Sequence, residues 1–248
     1  MADTTAGSHI GIAAGSDEAN SIRPHLALAL DVDDAVAAIQ LAKELRPWFG
    51  VAKVGQELFL AAGPEIIARL ANEGFAVFLD LKLVDIPTTV GKAAKVAGSL
   101  GATYLTMYAH GGSDMLRAGS EGMIEGAALA GLDAPTPLAV TILTSDDTAP
   151  AHILGKRLML AMEGGCKGVV CASDDLREVR QLAPRMRTIV PGIRPAAAAT
   201  HDQARAATPG EAIAGGADVL VIGRSVVHAP DRVRAASLIA AEAAAALP

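Results

Sequence analysis

The stretch FLDLKLVDIPTT, Phe78 to Thr89, sets an aspartate, a lysine and a second aspartate inside a run that otherwise has the make-up of a buried strand. Side chains alternate between the two faces of a strand, so Phe78, Asp80 and Lys82 share one face while Val77, Leu79, Leu81 and Leu83 share the other. The leucine face suits packing against helices. The opposite face carries Asp80 and Lys82 about 6 to 7 Å apart along the strand, from the rise per residue. Asp85 follows in VDIPTT, where Pro87 and two threonines mark a turn into a helix N-terminus, so an ordinary turn or first-turn acid is the simple reading of that residue.

Outward from this run, similar short β-rich runs recur. LALALDV (26–32) and VAKVG (51–55) precede AVFLDLKL (76–83), and TYLTMYA (103–109), PLAVTIL (137–143), GVVCA (168–172), TIVPGI (188–193) and DVLVIG (218–223) follow it. Helical stretches lie between them, such as DDAVAAIQLAKELRPW, opened by capping-type aspartates, and PEIIARLANEG, opened by Pro64 and closed by Gly74. Strand then helix, repeated in this rhythm, predicts an α/β fold of the (β/α)8 TIM-barrel kind in a single domain over residues 25–248. A doubly wound open sheet is the rival arrangement, but no GxGxxG follows the first strand. Residues 1–24, acidic and rich in small polar side chains, read as a flexible N-terminal extension. The segment TSDDTAPAHILGKRLMLAMEGG after the fifth strand is long enough for a helix plus a lid-like loop.

The bulk numbers agree with a barrel. A chain of 248 residues is long for one domain, yet α/β barrels use such a length around one core. Apolar residues make up 51% and aromatic residues only 3%, so the interior must be built from Ala, Val, Leu and Ile. The net charge of −6, with no Lys/Arg-rich run, gives no footprint for nucleic acid. No apolar stretch approaches the roughly 18 residues needed to cross a bilayer, and no basic n-region opens the chain, so a cytoplasmic, soluble protein without a membrane partner is expected. Cys166 and Cys171 are too few for a disulfide framework and are poorly spaced for a metal, and read as reduced core thiols.

The inward face of the first strand ends at Asp31, and Lys53 arrives near the end of the second. Three neighbouring strands thus deliver Asp31, Lys53, Asp80 and Lys82 to one mouth. An unpaired buried charge is expensive, so a structural ion-pair network is one explanation. The other is an active site, since this fold carries its chemistry at the C-terminal face of the strands. Strands seven and eight end in VPGIRP and VIGRS, each with a glycine and an arginine. In many barrels those loops bind phosphate, and Gly192 and Gly223 would admit phosphate oxygens close to the backbone while Arg194 or Arg224 adds charge-assisted contacts. A phosphorylated substrate spanning the mouth, its reacting end over strands one to three, is the arrangement suggested.

From about Pro24 to the end the chain resembles the orotidine 5'-monophosphate decarboxylase family. DLKLVDIPTT carries the family's Asp, Lys and Asp followed by Ile-Pro and a threonine, and LALD, KVGQELF, VTILTS, VPGIRP and VIGRS appear in the expected order around it. The resemblance implies decarboxylation of orotidine 5'-monophosphate to uridine 5'-monophosphate, the last step of pyrimidine synthesis, with no metal or organic cofactor, in a homodimer with shared sites. It implies Lys82 as proton donor to the carbon that loses CO2 and Asp80 beside the substrate carboxylate. Asp85 and Thr89 would reach into the partner subunit's site. Lys53 would bond the ribose and Asp80, Asp31 a ribose hydroxyl, and Thr144 would sit near the base. Arg194, Gln203, Gly223 and Arg224 would hold the phosphate. Val84, Thr88, Tyr108, His110 and His201 depart from the common pattern.

Other chemistries share parts of this signature. A keto-gulonate-phosphate decarboxylase has the same Asp-x-Lys-x-x-Asp pattern but needs Mg2+, and Lys53 stands where a carboxylate would suit that metal. A strand lysine also fits a Schiff-base aldolase. A nucleotide-binding barrel without catalysis is the rival outside enzymes.

Overall fold

A computed structural model describes residues 11–143, 148–150, 152–195 and 207–247. Eight parallel strands close into a barrel in chain order: β1 (Leu26–Ala29), β2 (Val51–Gly55), β3 (Ala76–Leu83), β4 (Ala102–Tyr108), β5 (Thr136–Val140), β6 (Gly168–Val170), β7 (Arg187–Val190) and β8 (Val219–Ile222). Pairing of Ala27 with Val51 and of Leu28 with Ile222 joins β1 to both neighbours and seals the cylinder.

Alternation along each strand builds two cores. Ala27, Ala29, Val51, Phe78, Tyr104, Leu138, Ile189, Val219 and Val221 fill the barrel interior, where Phe78 and Tyr104 meet edge to face with centroids 5.8 Å apart. The intervening residues, Leu26, Leu28, Val77 and Leu79 among them, pack outward under the helices. Helix starts follow the expected chemistry. Asp34 caps Ala35–Leu45 by accepting the Ala37 N–H at 2.7 Å, and Pro87 stands in the first turn of Pro87–Ser99. Strands and helices alternate around the cylinder, so the barrel prediction holds and the open-sheet rival is removed.

The expectation of a flexible extension over residues 1–24 is corrected for residues 11–24. A short helix, Asp17–Ile22, is capped by Ser16 and buries Ala19 and Ile22. The Ile12 carbonyl accepts hydrogen bonds from Trp48 Nε1 at 3.0 Å and Ser237 Oγ at 2.7 Å. A few well-spaced apolar side chains and one carbonyl are enough to dock this segment on the barrel, despite its small polar composition. No helix among the described residues is long and apolar enough to cross a membrane.

Candidate active site

At the C-terminal end of the strands a cavity of about 290 Å³ opens, near the lower end of ligand-pocket sizes. Asp31, Lys53, Asp80 and Lys82 line one side, and Gly192, Arg194, Gly223 and Arg224 line another. The inner core residues Ala29, Phe78 and Val221 form its apolar floor.

The charged side is built by β1 to β3. Lys53 follows Val51 on the inward face of β2, and its ammonium donates to Asp31 Oδ1 at 2.7 Å. Gly55 leaves room for this pair, since a Cβ there would stand 3.2 Å from Asp31 Oδ1 and 3.3 Å from Lys53 Nζ. The expected bond from Lys53 to Asp80 is not formed. Lys53 is spent on Asp31, while Asp80 accepts from Lys82 Nζ at 2.6 Å. Each acid thereby holds one ammonium in place, which lowers the cost of keeping two cations around one apolar floor.

Simple alternation places Asp80 correctly but does not carry Lys82. The ladder between β3 and β4 slips, running from Leu79 opposite Leu105 to Leu83 opposite Met107, and Lys82 lies in the left-handed region with φ 51°. Among the described residues it is the one non-glycine residue with positive φ. Such a conformation costs about 1 to 3 kcal/mol and persists where its surroundings hold it. What holds it is Thr106 on β4, whose hydroxyl accepts the Lys82 N–H at 2.9 Å and donates to Asp80 Oδ1 at 2.9 Å. Sequence reasoning missed Thr106. The one signal was a hydroxyl at an inward-pairing position of a strand beside DLKL, too common a feature to single out.

Tyr108, at the end of β4, has its phenol pKa raised by burial and then by the Asp80 charge, with Arg157 opposing. Its ring packs against His110 with centroids 4.7 Å apart, so two of the departures from the family pattern lie beside one another next to the charged side.

On the opposite side Gly192 has φ 79°, a conformation that glycine adopts freely, and the Arg194 N–H bonds the Ala207 carbonyl at 3.1 Å. Gly223 precedes the short helix Arg224–Val227. Ser225 Oγ, at the same cavity, is buried without a hydrogen-bond partner among the described residues. Thr144 and Gln203 lie outside the described residues, as do residues 144–147 and 151 of the loop read as a lid, while the helix expected after that loop spans Ile153–Glu163. Asp85 and Thr89 are described but stand exposed and do not line the chain's own cavity. Asp85 instead accepts the N–H of Ile86 at 2.6 Å. Among the described residues no cluster of three or more His, Cys, Asp or Glu could hold a metal ion.

Fold and mouth together define a class: (β/α)8 barrels with an Asp-x-Lys strand facing glycine-arginine loops across one cavity. A family model described as Orotidine 5'-phosphate decarboxylase / HUMPS family matches residues 24–239. The chain belongs to this family. It is 43% identical over 224 residues to the orotidine 5'-phosphate decarboxylase of Anaeromyxobacter dehalogenans, covering 86% of this chain and 95% of that one. To the Thermobifida fusca protein of the same name it is 42% identical over 230 residues, covering 88% and 94%. Among solved structures, orotidine 5'-phosphate decarboxylase from Lactobacillus acidophilus superposes with a TM-score of 0.75 at 33% identity, covering 89% of this chain and 99% of that one.

Proposed function

We propose that this chain decarboxylates orotidine 5'-monophosphate to uridine 5'-monophosphate and CO2, supplying the pyrimidine nucleotide without a metal or organic cofactor. The observation that carries the reading is the Asp80–Lys82 pair, 2.6 Å apart at the mouth of a barrel of this family.

Loss of CO2 leaves an electron pair on a pyrimidine carbon with no obvious sink. The C–C bond breaks, its electrons stay on the ring carbon, and an ammonium fixed beside that carbon stabilises the growing charge and then delivers its proton. Lys82 is that ammonium. Asp80 holds it, and lies beside the substrate carboxylate. Two like charges about 4 Å apart cost on the order of 4 kcal/mol at an effective dielectric near 20, a stress relieved as CO2 departs. Arg194, Gly223 and Arg224, which line the cavity, take the phosphate together with Gln203. Binding energy gained there is available at the reacting end. Asp31 and Lys53 face the ribose, and Thr144 the base.

In the same reading the active unit is a homodimer, with Asp85 and Thr89 completing the partner's site. Their exposure outside the chain's own cavity supports it, as do Val84 and Ile86 beside them, apolar yet 49% and 66% exposed. Mixing inactive Asp85→Ala and Lys82→Ala chains is expected to restore part of the activity through mixed dimers. No recovery despite proven subunit exchange would count against shared sites.

The direct test of the activity is the absorbance of orotidine 5'-monophosphate incubated with purified protein in excess EDTA. Steady conversion is expected. Binding without conversion would favour the non-catalytic barrel, and conversion restored only by Mg2+ would sink the cofactor-free mechanism.

A further inference from the structure

We infer that Thr106 is a positioning residue for the reaction, using one hydroxyl to hold both the carboxylate and the backbone that aim Lys82. The inference rests on the decarboxylase reading for its kinetic consequence, and on geometry alone for its structural one.

Thr106 lies on β4, fully buried, with its side chain turned to the slipped segment of β3. Between Leu79 and Leu83 the two strands fall out of step, so the Lys82 N–H does not join the regular backbone ladder. Thr106 Oγ1 accepts that N–H at 2.9 Å, taking the place a carbonyl would fill. A hydroxyl has one proton to give, and this one goes to Asp80 Oδ1, also at 2.9 Å. The other oxygen of the same carboxylate, Oδ2, receives Lys82 Nζ. The result is a closed circuit from Lys82 backbone to Thr106 hydroxyl to Asp80 carboxylate to Lys82 ammonium. Rotation of the Asp80 carboxylate breaks two hydrogen bonds at once.

This arrangement explains why a lysine tolerates φ 51° at this point. The left-handed turn points the ammonium back over Asp80, and Thr106 supplies the bond that the turn takes from the ladder. Both jobs need a hydroxyl, which accepts one hydrogen bond while donating another. Valine keeps the shape but neither donates nor accepts. Serine keeps the hydroxyl and loses only a methyl group.

The test compares full-length Thr106→Val and Thr106→Ser with wild type in steady-state assays on orotidine 5'-monophosphate, alongside circular dichroism and thermal melts. Removing the hydroxyl is expected to lower kcat by roughly 10- to 100-fold, the scale of a misplacement of about 1 Å, while KM moves by less than about threefold. Thr106→Ser is expected to keep kcat within about threefold of wild type. A valine variant with wild-type kcat would overturn the inference, as would a serine variant that falls as far as valine. If the valine variant does not fold, Thr106→Ala set against Thr106→Ser makes the same comparison. Should wild type itself leave the substrate unchanged, the functional reading fails alone. The positioning claim is then read from crystals of Thr106→Val, where Lys82 leaving the left-handed region and parting from Asp80 supports it and an unchanged Asp80–Lys82 pair refutes it.

Discussion

At the N-terminal end of the strands Asp218 is tied in through one carboxylate oxygen and its backbone carbonyl. Its carboxylate accepts from Arg180 Nη2 at 2.7 Å and from the Thr188 N–H at 2.7 Å, while its carbonyl meets His25 Nδ1 at 2.9 Å. Arg180 also donates to the carbonyls of Gly216 and Met186. At the C-terminal end Asp80 and Lys82 also pair, but their backbone is strained, their ladder is broken and a cavity faces them. Both ends place charge next to an apolar interior. The first gathers its donors on Asp218 Oδ2 and ties Arg180 to neighbouring carbonyls, and the second keeps groups aimed at open space. That difference separates a stabilising network from a reactive one on the same barrel.

The comparison breaks if the two clusters respond alike to mutation. Lys82→Ala is expected to lower turnover by roughly 10²- to 10⁴-fold or more, the range for a lost general acid, with the melting temperature almost unchanged in a thermal scan. Arg224→Ala, which removes a charged donor from the anion side, is expected to lower kcat/KM by roughly 10- to 100-fold in the same assay. Asp218→Asn at the other end reverses the pattern. It is expected to cost about 1 to 3 kcal/mol of stability in denaturant unfolding, with kcat of the folded protein unaltered.

The smallest effect concerns groups that belong to neither cluster. Burial pushes the Cys166 thiol from the ordinary 9.0 up to about 11 and the Cys171 thiol up to about 12. Both raised values favour the protonated thiol in the folded chain. Their contribution to stability is therefore complete below the unfolded thiol value and fades as the pH climbs from about 9 towards 12. Unfolding free energies measured across that window should fall less steeply in Cys171→Ala than in wild type.

Much of the barrel was legible because period-2 alternation and strand spacing are local signals. Leu26, Leu28 and Leu30 against Ala27 and Ala29 already separate the outer core from the inner. Asp80 and Lys53 were legible for the same reason. Lys82 was legible in its destination but not in its route, since a left-handed residue and a slipped ladder depend on the facing strand. Thr106 was hidden for that reason too. The pairing of Lys53 with Asp31 instead of Asp80 is a choice between two acids at similar reach, which spacing along a strand does not decide. Docking of residues 11–24 depended on Trp48 and Ser237, distant in the chain. The roles of Asp85 and Thr89 came from resemblance, and neither residue reaches the cavity of its own chain.

The central claim is that the mouth is polarised, with the phosphate over the ends of β7 and β8 and the reacting carbon over β1 to β3. A crystal structure of the protein with uridine 5'-monophosphate tests this most directly. The account predicts the phosphate on Gly223 and Arg224 and the pyrimidine ring turned so that Lys82 Nζ stands within hydrogen-bond distance of the carbon that bore the carboxylate. A nucleotide bound in the reverse sense, with its phosphate on Lys53 and Lys82, would contradict it.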